Sequence, residues 1–329
     1  MKFGFQEIVK AKKALAIGAS ALLLNFSSLA TAIQPDTYID LSGGYRVDRF
    51  TTLWKTEGVN PVPDSDETGS DTEDFNLFRD KIKIKGLGIW TFGGKGQIRF
   101  CDYWVLKGSA YYGWIDRGHY HQERTDRFLH DRVSRSKVKN GRTRDAQIGF
   151  GYMYPIRGYW GCQAIGPFVG YSYNDQRYRM GNFTTDGFNN PILKDLNYAS
   201  RWNGPWIGID YVYQQCPFKV MSSLEYHWTT WHGEYRLQRH DIPGVEFSKR
   251  FQADNAYGVV WSIDGEWYFW DNWHMGLEYK WQFWRTHQGR ARPKDGNIRQ
   301  LGFHDHRHME LKHTRWYSDT FLFNIGWDW

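Results

Sequence analysis

Beyond its first 32 residues the chain has no uncharged apolar run approaching the roughly 18 to 20 residues that a membrane-crossing helix needs, which excludes a helical membrane domain from that part. Cysteine is scarce and odd in number: three in 329 residues cannot all pair within one chain, so a closed disulfide framework does not hold the fold. The acidic stretch containing Glu57, Asp64, Asp66, Glu67, Asp71, Glu73 and Asp74 lacks the spacing of an EF-hand and is expected to be a solvated loop. Basic residues exceed acidic ones by six, but they are dispersed, which argues against a nucleic-acid partner.

The amino terminus carries an export pattern. Lys2, Lys10, Lys12 and Lys13 precede the apolar stretch Ala14 to Leu24, and Ala30-Thr31-Ala32 supplies the small-x-small motif of a signal-peptidase site. Residues 1–32 are therefore expected to be a signal peptide and 33–329 the folded domain. For an exported chain with this charge, outer-membrane lipid is the expected counterpart.

Alternation is the strongest signal in the rest of the sequence. Phe321, Phe323, Ile325, Trp327 and Trp329 fall on one face of an extended strand, and Leu322, Asn324, Gly326 and Asp328 on the other. Phe, Tyr and Trp number 21, 21 and 18, more than a soluble core requires and in keeping with aromatic girdles at two membrane interfaces. Negative mean hydropathy does not oppose a barrel, whose strands expose only alternate residues to lipid.

Strands are predicted near residues 37–50, 79–100, 103–118, 143–155, 162–180, 198–214, 217–235, 252–269, 273–288 and 314–329. Tight connectors (Phe100-Cys101-Asp102, Pro155 to Gly161, Gln215-Cys216-Pro217 and Trp270-Asp271-Asn272) alternate with long ones at 51–78, 117–142, 181–197, 236–251 and 289–313. Short periplasmic turns alternating with long outer loops predict an all-β, ten-stranded antiparallel transmembrane β-barrel. Strand parity places Asp210, Glu225, His227, Asp264, Glu266, Glu278 and Lys280 in the lumen, either as mutually paired groups or as the lining of a narrow polar pore. The alternating His304, His306 and His308, with His313 nearby, fit either a solvated loop or a transition-metal site.

Cys101, Cys162 and Cys216 all fall at or beside the tight turns, hence at the periplasmic end. Turns separated around a barrel bring few cysteine pairs within disulfide reach, so at least one thiol is expected to stay unpaired or to bond another molecule. The alternative is three small buried residues beneath interfacial aromatics.

The stretches Gly108 to Trp114, Gly170 to Tyr178, Tyr198 to Tyr213, Tyr226 to Trp231 and Gly265 to Trp284 follow the order and spacing of the omptins. The resemblance spans most of the chain after residue 32 and implies a ten-stranded outer-membrane barrel of the kind used by aspartyl proteases of Gram-negative bacteria. Composition, Trp-rich strands and altered loops resemble the Protochlamydia outer membrane proteins more closely, a chlamydial group discussed as porins. For such envelopes the resemblance implies disulfide links to cysteine-rich periplasmic proteins.

The omptin resemblance implies two sites. Its lipopolysaccharide site, Tyr-x-acid-x-Arg with a second Arg on the next strand, maps to Tyr173, Asp175, Arg177 and Arg201. Spacing of i, i+2 and i+4 puts the first three on one strand face, where arginine can grip phosphate bidentately while the acid orients it; an ordinary surface ion pair is the alternative. The proteolytic site departs from its pattern. The Asp-x-Asp pair aligns with Asp126 and Phe128, and the Asp-x-His pair with Gln238 and His240, so each pair lacks one carboxylate. Asp131 or Asp241 is a possible replacement, although Asp241, as a strand neighbour, would point away from His240. The expected function is a lipopolysaccharide-associated outer-membrane barrel, a porin or surface structural protein; the alternative is an omptin-like aspartyl endopeptidase with a degenerate active site. No cofactor is implied.

Overall fold

A strand in lipid has no water to satisfy its edge, so a sheet crossing a membrane must close on itself. The computed structural model describes residues 37–58, 75–100, 103–126, 132–157, 161–185, 193–239, 246–293 and 308–329, and these form one closed antiparallel sheet. Its elements are β1 (Tyr38–Gly58), β2 (Phe75–Phe100), β3 (Trp104–Asp126), β4 (Arg132–Tyr152), β5 (Tyr154–Arg157), β6 (Cys162–Thr185), β7 (Leu193–Gln215), β8 (Phe218–Arg239), β9 (Glu246–Trp270), β10 (Trp273–Thr286), β11 (Gly289–Pro293) and β12 (His308–Asp328). β5 pairs with β6 as a continuation of β4, and β11 runs between β9 and β12 as a continuation of β10, so the barrel has ten staves, as the sequence predicts. No helix among the described residues is long and apolar enough to cross a membrane.

Closure is made by β1 and β12, in register from Tyr38↔Asp328 to Glu57↔His308 with one irregularity between Leu53 and Trp54. The seam is tight at Gly44, where a Cβ would overlap the carbonyl oxygen of Phe321. The turns at the chain-termini end are short: Cys216-Pro217 links β7 to β8, and Asp271-Asn272 links β9 to β10, with Asp271 at φ 31°. A left-handed turn residue of this kind is tolerated by Asp at modest cost.

At this end the predicted strand boundaries hold to within about two residues, except that β5 carries pairing on to Arg157, into the predicted turn. At the other end the strands run further than predicted. Much of 117–142 and 236–251, expected to be loop, is strand, and β1, β2, β6, β7 and β12 also enter the predicted loops. The physical reason is length: a 21-residue strand extends about 70 Å, or about 50 Å along the axis at a tilt of ~45°, twice the ~25 Å apolar belt. Outside the belt the outward positions carry charge, and the alternating pattern weakens although pairing continues. The expected signal peptide, most of the stretch expected to be an acidic loop, Cys101, His304 and His306 lie outside the described residues. Cys162 opens β6, half-buried, and Cys216 is exposed in its turn.

The belt is visible in the outward side chains. Ile39 and Leu41 on β1, Val169 on β6, Ile207 and Ile209 on β7, Leu277 on β10 and Phe321, Phe323 and Ile325 on β12 are all exposed, bordered by Trp104, Trp270, Trp273, Trp327 and Trp329 near the turns and by Trp90, Trp114, Trp228 and Tyr317 higher up. The predicted lipid-facing parity of β7, β8 and β12 is therefore present. Replacing Leu277, which is 71% exposed, with Arg is expected to cost about 2–4 kcal/mol of barrel stability in chemical unfolding from lipid vesicles. A cost near zero would place this position outside the hydrocarbon.

Candidate functional site

The outward face of β6 changes character along its length. Ile165, Val169 and Tyr171 face lipid; Tyr173, Asp175, Arg177 and Arg179 follow at the same parity above them. This order puts the charged residues where the hydrocarbon gives way to headgroups. Register then supplies their neighbours: Arg201 of β7 lies directly opposite Asp175, His232 of β8 opposite Arg201, and Arg144 of β4 opposite Asp175 on the other side.

The four residues predicted for this site thus come together on one outer surface. Asp175 is 2% exposed beneath two arginines, with Arg177 Nε donating to its Oδ2 at 3.1 Å and Arg201 Nε 3.7 Å from its Oδ1. The Arg201 guanidinium also sits over the Tyr173 ring, 5.7 Å from its centroid. Each arginine remains more than 40% exposed, so the buried acid holds the inner edge of the guanidiniums and leaves the outer edge to solvent. An isolated surface ion pair would leave its acid in water too; Asp175 differs in being covered.

Around these residues is a groove of about 890 Å³. Its charged lining contains Arg142, Arg177, Arg179, Arg201, Arg236 and Arg250 against only two carboxylates, Asp175 and Glu234. Glu234 accepts from Arg236 at 3.0 Å and lies 3.7 Å from Arg250. An excess of guanidiniums with forked donors facing outward is suited to phosphate oxygens. Arg142, Arg236 and Arg250 were not among the sequence-predicted site residues, because 117–142 and 236–251 read as loops; Glu234, in the predicted strand 217–235, was not singled out either. Their shared feature in the sequence is an arginine at outward parity just beyond an apolar run.

His232 lies above the apolar outward run of β8, which ends at Trp228. Partial burial, reinforced by the Arg201 guanidinium, holds its imidazole below the ordinary histidine value.

The residues predicted for proteolysis are not brought into view together. Asp131, His240 and Asp241 lie outside the described residues; Asp126 ends β3 opposite Phe78, and only its backbone is described.

The lumen holds paired charges and packed aromatic rings. Every group predicted to point inward from the middle of the strands does so: Lys107 bonds Asp210 at 2.7 Å and approaches Glu225 at 3.6 Å, and Asp264 and Glu278 meet Lys95. Arg46, 1% exposed, pairs with Asp48 and Asp145, while Gln176 donates to Asp48 at 2.8 Å. Ser172 Oγ, His227 and Glu225 form a relay at 2.9 and 3.1 Å, but all three are almost fully buried and offer no face to a substrate. Trp202, Trp231, Trp284 and Trp316, each under 2% exposed, pack against one another across the barrel with centroids 5.6–6.4 Å apart. Tyr198, Tyr235, Phe50 and Trp54 continue that aromatic plug beyond them.

The family model for the Protochlamydia outer membrane protein matches residues 40–328. No curated protein sequence matches the chain. Among solved structures, the outer membrane protease OmpT from Escherichia coli is similar with a TM-score of 0.62 at 10% identity, covering 92% of this chain and 99% of that one. A Pseudomonas aeruginosa FadL homologue is also found, at 10% identity, with a TM-score of 0.30 and coverage of 89% and 90%. The OmpT similarity concerns the fold alone.

The Arg201–His232 proximity gives a direct test. In side-chain NMR of the folded barrel, with His232→Gln for assignment, His232 should titrate below the usual ~6.5, and Arg201→Ala should raise its midpoint by removing a positive charge. An unchanged midpoint would mean the two side chains do not interact.

Proposed function

This chain belongs to the Protochlamydia outer membrane protein family, and on that premise we propose that it is a lipopolysaccharide-bound structural barrel of the outer membrane with a closed lumen. The observation that carries the proposal is the outward set Tyr173, Asp175, Arg177 and Arg201, placed directly above lipid-facing Val169 and Tyr171. A phosphate at the outer-leaflet headgroup level meets two guanidiniums already held by a buried carboxylate. Neighbouring Arg142, Arg236 and Arg250 extend the positive surface toward further phosphates of the same or an adjacent lipid. Such contacts are charge-assisted, worth about 1.5–3 kcal/mol each, and lie in a setting less screened than open water.

Within the groove the roles divide by position. Asp175 orients; Arg177 and Arg201 bind; Tyr173 supplies an aromatic platform that fixes Arg201 from the side. Lipopolysaccharide gripped this way would tie the barrel laterally to the outer leaflet, which suits a surface structural protein.

A pore is the second function to weigh, because the turn-side half of the lumen is lined by Lys95, Lys107, Asp210, Glu225, Asp264 and Glu278. The free space there is only about 100 Å³, and the four-tryptophan layer lies above it. Diffusion of a solute would require that layer to move. The endopeptidase alternative gains no support from the OmpT likeness at 10% identity, and its candidate residues Asp126 and His240 still lack their partner carboxylates in the sequence.

Two measurements test the proposal. Arg177→Ala and Arg201→Ala should each weaken binding of purified lipopolysaccharide to the folded barrel by about tenfold or more, and dephosphorylated lipid should bind the wild type no better than it binds the variants. Equal binding of both lipids would reject the phosphate site. In planar bilayers the wild type should give no discrete current steps; reproducible single-channel steps would replace the closed barrel with a porin.

A further inference from the structure

The turn-side end of the lumen contains a cluster whose charges do not balance. Asp40, Asp264, Glu266, Glu278 and Asp328 contribute five carboxylates, and the cations they meet are the ammonium groups of Lys95 and Lys219 and, when protonated, the His274 imidazole, so that carboxylates outnumber cations even at full protonation of the ring. Lys95 lies 3.7 Å from Asp40 and 3.0 Å from Glu278, and bonds Asp264 closely; Lys219 lies 3.4 Å from Glu266 and 3.8 Å from Asp328. Uncompensated carboxylates in a low-dielectric interior are costly, and a bound cation is one way that proteins offset the cost.

Three of the side chains converge on one point. Asp40, Glu266 and His274 are 0%, 2% and 0% exposed, and one ligand-type atom of each lies within 4.8 Å of the other two. His274 Nε2 is 2.9 Å from Asp40 Oδ1 and 3.8 Å from Glu266 Oε1. Donors bound to one zinc-class ion at ~2.0–2.1 Å lie about 3.3 Å apart in a tetrahedral shell, so the spacing needs little adjustment. Asp40 Oδ2 and both oxygens of Glu266 are buried and receive no hydrogen bond.

The second side of the imidazole has the arrangement a metal ligand requires. His274 Nδ1 faces Asp328 Oδ1 at 3.1 Å, and Asp328 is itself held by the Tyr268 hydroxyl at 2.6 Å. A carboxylate beside one ring nitrogen favours the tautomer in which the other can bind metal; here Nε2 shares a hydrogen bond with Asp40 Oδ1 at 2.9 Å, and a metal ion would take the place of the proton between them. Gly326 forms part of the floor: a Cβ there would overlap Asp40 Oδ1 and His274 Nε2. A groove of about 460 Å³ at the turn end is lined by Tyr268 and Asp328, the pair that stands behind His274.

We propose that Asp40, Glu266 and His274 form a divalent transition-metal site of the zinc class at the periplasmic end of the lumen, with Asp328 as the positioning residue for His274. The ion would join β1, β9, β10 and, through Asp328, β12, and so clamp the seam where the barrel closes. It is separate from the arginine groove, which faces outward at the other end.

The test uses the folded barrel in detergent, stripped with chelator, titrated with zinc chloride and analysed for retained metal after desalting. About one equivalent should be retained by the wild type and lost in His274→Gln and Glu266→Gln, while Asp328→Asn should bind about 10–100-fold more weakly. Gly326→Ala should also lose the metal although every ligand is present. Heat-modified gel migration reports whether each variant folds. A measurement independent of variants is paramagnetic broadening by cobalt: amide signals at the Asp40, Glu266 and His274 end should broaden and those near Arg177 should not. Failure of the folded wild type to retain zinc, or broadening confined to the opposite end, would overturn the site. Retention unchanged in His274→Gln but lost when His304, His306 and His308 are all changed to Ala would assign the metal to that loop instead. In that last case, too, the proposal fails.

Discussion

Everything in this molecule depends on the pairing of β1 with β12. Backbone groups in hydrocarbon have no solvent partner, and only closure removes the two edges that an open ten-stave sheet would expose. The Gly44–Phe321 approach shows how little room the seam allows. Once the ring is closed, each side chain has two destinations, lipid or lumen, and the pleat assigns them alternately. The apolar belt and the charged interior are consequences of that one geometric choice.

The lumen illustrates the cost of such an assignment. A ten-stave barrel is narrow, so inward charges cannot remain hydrated and must find each other: Arg46 with Asp48 and Asp145, Lys107 with Asp210, Lys95 with Asp264 and Glu278. Higher up, large aromatic rings replace ion pairs, and four buried tryptophans pack together. The two devices do different work. Ion pairs join strands far apart in sequence, as the 99-residue separation of Arg46 and Asp145 shows, whereas the rings pack against one another as a buried apolar layer.

Outside, the same parity produces a site without any special backbone. β6 passes from Val169 to Arg179 through Tyr171, Tyr173, Asp175 and Arg177, and this gradient follows the change from hydrocarbon to headgroup. The arginines come from four strands, β4, β6, β7, β8, and one more from β9, so that each contributes only one or two residues. Strand extension beyond the belt is what makes room for them. A barrel whose strands ended at the membrane surface would have no rigid wall on which to mount Arg236 or Arg250.

How much was legible beforehand follows from the range of each interaction. Alternation along a strand is local, so the sequence alone determined the ten staves, their turn-side boundaries, the lipid-facing parity of residues such as Ile207 and Phe323, and the inward direction of Asp210, Glu225 and Glu278. It also put Tyr173, Asp175 and Arg177 on one face, because i, i+2 and i+4 cannot do otherwise in a strand. Where the strands end above the belt was hidden, since charged outward residues there erase the contrast that marks the membrane segment. Which strands lie opposite, and at what register, is a property of the closed sheet. Only the tertiary structure therefore decided that Arg201 faces Asp175, that Arg236 and Arg250 reach the same groove, that four tryptophans meet in one layer, and that Asp40, Glu266 and His274, up to 234 residues apart, converge. Those contacts arise between strands, and no periodicity within a strand encodes its register against a distant one.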